Sequence, residues 1–217
     1  MAAVFGPKAN LITKLVLLGA AAGLLTLFVG GWVFPSIDYY TRVGFVRPQP
    51  VPFSHEHHVG GLGLDCRYCH TSVEVSANAG MPPTHTCMTC HSQLWTNAEV
   101  LAPVRQSLAT GEPIRWSRVY DLPDYVFFNH SIHVAKGVGC TTCHGQIDRM
   151  PLTWQASSLS MGWCLDCHRD PAPNLRPREE VFDTDWKPTP DTPTGEQLLA
   201  AYDIHPATLS DCSVCHR

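Results

Sequence analysis

Charge is scarce in this chain. Asp, Glu, Lys and Arg make up 16% of its 217 residues, 15 basic against 19 acidic, for a formal net charge of −4. A basic face or stripe is therefore missing, and with it the electrostatic footprint of a nucleic-acid binder. No cysteine stands outside a C-x-x-C pair. The 18 prolines argue against a regular α/β enzyme, while a hydrophobic share of 44% is too high for a disordered chain. The length allows one or two domains.

What is abundant is a single five-residue pattern. The ten cysteines form five pairs, each followed at once by histidine: Cys66/Cys69-His70, Cys87/Cys90-His91, Cys140/Cys143-His144, Cys164/Cys167-His168 and Cys212/Cys215-His216. Histidine supplies 12 of 217 residues, so chance would place it after all five pairs about five times in ten million. C-x-x-C-H is the attachment sequence of haem c. Two thiols at this spacing form thioethers to the two vinyls on one porphyrin edge, and the next imidazole becomes the proximal iron ligand. Zinc sites of four thiolates need an even number of pairs, and five are present. Thioredoxin-like pairs come singly on a βαβ scaffold, and disulfides would leave the five histidines unexplained. Five covalent haems are expected.

Such attachment happens outside the cytoplasm, and the N-terminus agrees. Lys8 and Lys14 precede Leu15 to Phe34, twenty residues without a charge. At about 1.5 Å per residue this run spans roughly 30 Å, one hydrocarbon core. Lysines on the leading side predict a cytoplasmic N-terminus and an extracytoplasmic, periplasmic haem region. Ala20-Ala21-Ala22 resembles a signal-peptidase site, but the apolar run continues beyond it through Leu24, Leu25, Leu27, Phe28, Val29 and Trp32. A retained membrane anchor is expected. Gly19 and Gly23 form a G-x-x-x-G within it, a face open to another helix.

Residues 35–217 leave about 37 residues per haem, too few for a conventional domain around each. The expected fold is a multihaem cytochrome c: short helices and loops wrapped round porphyrins, one transmembrane helix, little β. An internal duplication organises it. Phe53-Ser54-His55-Glu56-His57-His58 precedes motifs at Cys66 and Cys87; Phe128-Asn129-His130-Ser131-Ile132-His133 precedes motifs at Cys140 and Cys164. The offsets between copies are 74 and 77 residues, and Met81-Pro82-Pro83-Thr84 answers Met150-Pro151-Leu152-Thr153. The expected organisation is an anchor (1–34), a first dihaem module with a connecting helix (35–127), a second dihaem module (128–170) and a strap with a fifth haem (171–217). Thr96 and Glu99 suggest a capping box, with Pro103 delaying or kinking the helix and Gly111 stopping it. Arg169 to Thr194, with six prolines, reads as an extended strap before a short helix from Glu196 to Tyr202.

Seven histidines remain for the distal iron faces: His55, His57, His58, His85, His130, His133 and His205. Residues i and i+3 on a helical turn lie on nearby faces, so His55/His58 and His130/His133 can each serve two irons. His57 breaks the pairing and is expected to face solvent or a propionate. One iron is left, with Met161 the first choice and Met150, Met81, His85 and His205 as alternatives. Thioether ligation favours ferrous iron, so a His/Met haem would hold the highest potential. Spacing alone does not pair each distal histidine with its iron.

The Phe-x-His-x-x-His elements resemble those of class III multihaem cytochromes. In that family the first histidine commonly ligates the haem of the next motif, and the second reaches another. The stretches Pro82 to His91, Ser158 to Arg169 and Cys212 to Arg217, together with five motifs and one anchor, resemble the pentahaem cytochrome c subunit of bacterial Alternative Complex III. The resemblance covers essentially the whole chain. It implies an electron-relay subunit of a quinol:electron-acceptor oxidoreductase. Its neighbours would be an NrfD-like integral membrane subunit that oxidises quinol, an iron–sulfur subunit and a monohaem cytochrome c. The acceptor beyond them would be a soluble cytochrome, a blue copper protein or a terminal oxidase.

Two other functions compete. A quinol dehydrogenase of the NapC/NrfH kind would take electrons from quinol directly, but it places a haem at the membrane surface, and Cys66 follows Phe34 by 32 residues. A multihaem reductase would keep one iron face open, visible as a high-spin signal or CO binding.

Overall fold

The computed structural model describes residues 6–216. The first five residues and Arg217, the last residue of the terminal motif stretch, lie outside them. The chain divides into two units, Met1–Arg42 and Val43–Arg217.

The first unit is dominated by a helix over Ala9–Val33, continued by a 3₁₀ turn at Phe34–Ser36. Twenty-five helical residues at about 1.5 Å each reach roughly 37 Å, enough to cross a bilayer. No residue of this helix is buried. Leu18, Leu24, Leu27, Phe28 and Trp32 lie bare around it.

The second unit is built from short helices. Among its described residues, strand is confined to isolated bridges: Val43 with Gln155, Val46 with Trp154 and Val138 with Leu175. The expectation of little β holds. The apolar interior that the polypeptide makes on its own is thin. One cluster joins Val51, Leu101 and Val104 to Cys87, Met88, Ala98, Ile114 and Trp116; elsewhere Met150 and Val181 are the largest side chains fully enclosed.

Local expectations fare unevenly. The capping box at Thr96 does not form: a 3₁₀ turn at Glu99–Leu101 leads into a helix over Ala102–Thr110 with proline in its first turn and no side-chain cap. Pro103 sets that later start, because its fixed φ suits the first turn and it has no N–H to satisfy. Gly111, at φ 75°, ends the helix in the left-handed conformation that favours glycine. The late helix runs over Gly195–Ala201, one residue ahead of the expected span, behind a capping box between Thr194 and Gln197.

The proline-rich stretch is less of a free strap than its composition predicts. It contains 3₁₀ turns at Ala172–Asn174 and Arg178–Glu180 and buries Leu175, Arg176 and Val181. Arg176 donates its backbone N–H to Gly137, and Cys140 donates to Val181. These bonds press the stretch against the third cysteine motif.

The two histidine elements also differ. His130–Ala135 is an α-helical turn whose Asn129 side chain accepts from the Ser131 N–H. Glu56–Gly61 is a π-helical turn, with Leu62 donating to the His57 carbonyl. An i,i+3 helical turn was expected in both copies. Gly60 lies in the wider turn, facing the Asp148 carbonyl so closely that no Cβ fits there. The π turn thereby packs on the Ile147–Arg149 turn.

Candidate haem-binding site

Every cysteine pair lies on a helical turn: Cys66–Cys69, Thr84–His91, Cys140–His144, Met161–Arg169 and Cys212–Cys215. One turn brings positions i and i+3 onto one side, the side-by-side presentation two vinyls require. Asp65 caps the first turn through the Arg67 N–H, and Ser160 caps the fourth through the Trp163 N–H. All ten thiols are free of disulfides.

The imidazoles following these turns face the histidine elements. His58 and His91 have ring centres 6.2 Å apart, His130 and His144 6.3 Å, and His133 and His168 6.1 Å. An iron held between two imidazoles at ~2 Å from each nitrogen, with ring centres about 1.1 Å further back, separates those centres by roughly 6.2 Å. The residues therefore fit the group the motifs imply.

Ring orientation is enforced through the other nitrogen. Nδ1 bonds the carbonyl of Ser54 at His58 (2.8 Å), of Gly80 at His70 (2.7 Å), of Leu94 at His91 (3.1 Å) and of Ala77 at His130 (2.8 Å). His133 uses Asn129 (2.7 Å), His168 uses Leu209 (2.9 Å), His216 uses Tyr125 (3.0 Å), and His55 meets the Thr153 hydroxyl (3.0 Å). A carbonyl at Nδ1 fixes the tautomer that keeps the proton there and leaves the Nε2 lone pair for a metal. Burial, helped by neighbouring imidazoles, pushes His55 and His144 down to about 4. Both rings are thus neutral at pH 7.

Two aromatic residues do work that the motif reading passed over. Phe53 stacks on His58 (4.4 Å, 24°) and meets His55 edge-on (4.9 Å, 85°). Phe128 stacks on His133 (4.5 Å, 30°) and meets His130 edge-on (4.7 Å, 90°). One ring wedged between two imidazoles holds both at their mutual angle in each copy. The signal was present in the sequence, as a phenylalanine two residues before the first histidine both times. Tyr120, whose ring centre lies 4.4 Å from that of His144, carried no such signal.

The remaining candidates separate clearly. Met150 is 2% exposed and fills the interior beside Gly145. His205 is exposed, with Nε2 2.8 Å from the Asp203 carboxylate. His57 is exposed and stacks on Trp95 at 6.1 Å. His85, Met81 and Met161 are exposed, Met161 in the first turn of the fourth motif's helix. Among the described residues, the ring set beside His216 is that of Tyr125 (5.9 Å), not an imidazole.

No protein-family profile matches the chain. Over 194 residues, 89% of this chain and 77% of the relative, it is 30% identical to the multiheme cytochrome c subunit of a menaquinone reductase from Nitratidesulfovibrio vulgaris (strain Hildenborough). The chain itself is helical with almost no strand among its described residues, has one apolar N-terminal helix, and carries its ten cysteines on turns, three of them followed by an imidazole that faces another. The chain belongs to the multihaem cytochromes c, proteins that carry covalently attached haem c.

Proposed function

We propose that this protein is a membrane-anchored pentahaem cytochrome that relays electrons within a quinol:electron-acceptor oxidoreductase resembling Alternative Complex III. The observation that carries the reading is the set of three imidazole pairs at 6.1–6.3 Å. Irons capped on both faces have no position for a substrate, so the chain conducts rather than catalyses. Haem supplies one-electron ferric/ferrous exchange when bound. The side chains do the rest: cysteines tether, proximal and distal histidines saturate the iron, and Nδ1 acceptors hold the rings in place. The relative's membership of a menaquinone reductase supports a quinol-linked role.

In this reading His70 pairs with His55, His91 with His58, His144 with His130 and His168 with His133. Met161 serves the iron of His216. Residues 35–127 and 128–170 are the dihaem modules, and 171–217 carry the fifth haem. The helix over Ala9–Val33 is the anchor, with haems on the periplasmic side as Lys8 and Lys14 direct. The partners are an NrfD-like quinol-oxidising subunit, an iron–sulfur subunit and a monohaem cytochrome that passes electrons to a soluble cytochrome, a copper protein or a terminal oxidase.

The purified full chain should yield five haem equivalents by pyridine haemochrome and stay oxidised with a menaquinol analogue until the membrane partner is added. Reduction by the quinol alone would make it a quinol dehydrogenase of the NapC/NrfH kind. Met161→Leu should abolish the highest-potential step of a redox titration and leave the other four. Five unmoved transitions exclude Met161 as a ligand.

A further inference from the structure

We infer that the five haem-attachment motifs form one unbranched line in space, ordered Cys87, Cys66, Cys140, Cys164, Cys212, so that electrons enter and leave through the second and fifth motifs. The order differs from the order along the chain, because the first two motifs are exchanged. It rests on the five-haem reading above.

Each link has its own contact. The second and first motifs share the π turn that carries His58 and His55, and they touch directly: Tyr68, inside the first, is 2.8 Å from the Thr89 hydroxyl inside the second. The third and fourth motifs share the turn that carries His130 and His133, which face His144 and His168.

The link between modules runs from the first motif to the third, and it is reciprocal. His130, which faces His144 of the third motif, is oriented by the Ala77 carbonyl at 2.8 Å. Ala77 belongs to the loop after the first motif, the loop whose Gly80 carbonyl orients His70. In return His55, from the first module, is met by Thr153 in the loop after the third motif. Backbone bonds join the same segments: Ser131 N–H to Ser76 and Glu56 N–H to Met150.

The last link joins the fourth motif to the fifth. His168 is oriented by the Leu209 carbonyl at 2.9 Å, three residues before Cys212. The Pro206–Leu209 helix packs on the helix of the fourth motif.

Exposure agrees independently. Of the ten cysteines, Cys90 and Cys212 are the exposed ones, and they belong to the second and fifth motifs, the two ends of the line. The ends are where partners can approach.

An iron-edge anomalous difference map of the intact holoprotein tests the order without any substitution. The expected map places the His70 iron between those of His91 and His144, and the His168 iron between those of His144 and His216. A His91 iron whose nearest neighbour is any other than that of His70 overturns the order, as does a His216 iron nearest to any but that of His168. An attachment motif without iron overturns the five-haem reading, and the order falls with it.

Discussion

On the proposed ligation, replacing His130 with alanine should turn one iron from six- to five-coordinate. The oxidised protein should gain a high-spin absorption band, and the reduced protein should bind one CO per chain. Wild-type protein should show neither. The effect is large because His130 has two duties: its ring faces His144 at 6.3 Å, and its Nδ1 bonds the distant Ala77 carbonyl at 2.8 Å. The Ala77 carbonyl keeps the backbone N–H of residue 130, which bonds it at 3.2 Å, so the loss falls on the iron rather than on that carbonyl. The third motif is also the middle of the inferred line, so transfer between its two halves should slow along with the spectral change. His205→Ala is the matched control. His205 is exposed and paired with Asp203, and its removal should leave coordination, CO binding and transfer as they were.

Gly139→Ala should destabilise the holoprotein although it adds a single methyl group. The site has ordinary backbone angles, φ −67° and ψ 146°, so strain is not the cause. The cause is Arg176: a Cβ at position 139 would overlap its guanidinium. That guanidinium has little room to yield. It donates to the Asp183 carbonyl at 3.0 Å and the Thr141 hydroxyl at 3.2 Å, and lies 4.8 Å from the centre of the Trp186 ring. Overpacking of this kind costs about 1–3 kcal/mol, and at this chain length each kcal/mol lowers Tm by roughly 2–4 °C. Thermal unfolding of the holoprotein reads the loss. Adding Arg176→Ala to Gly139→Ala removes the overlap, so the pair should cost less than the sum of the single changes. Full additivity would show that the two residues do not compete for space.

The same corner shows why some of the fold was readable from composition and some was not. Six prolines between Arg169 and Thr194 predict an extended chain, and φ restriction does keep regular helix out of it beyond single 3₁₀ turns. Composition says nothing of where such a chain lies. That depends on Leu175, Arg176 and Val181 finding burial beside Gly137 and Gly139, residues some forty positions away. The histidine elements teach the same lesson. Their spacing predicts a helical turn, and His130–Ala135 forms one. The first copy is instead a π turn whose Gly60 meets the Asp148 carbonyl, a contact with a residue 88 positions away that no local pattern shows. At Thr96 a capping box gave way to the later start that Pro103 imposes within the same segment.

What the sequence determined by itself is whatever chemistry fits within a local stretch of backbone: thiols three apart, an imidazole next to them, an apolar run long enough for a bilayer. These depend on bond lengths and local torsions, so their spacing already carries them. Only the tertiary structure decided which imidazole faces which, that Thr153 and Ala77 orient histidines distant in the chain, that Met150 is interior filling, and which motifs are neighbours. Those choices join residues tens of positions apart, and they turn on which packing closes the thin interior with the fewest unmet hydrogen bonds.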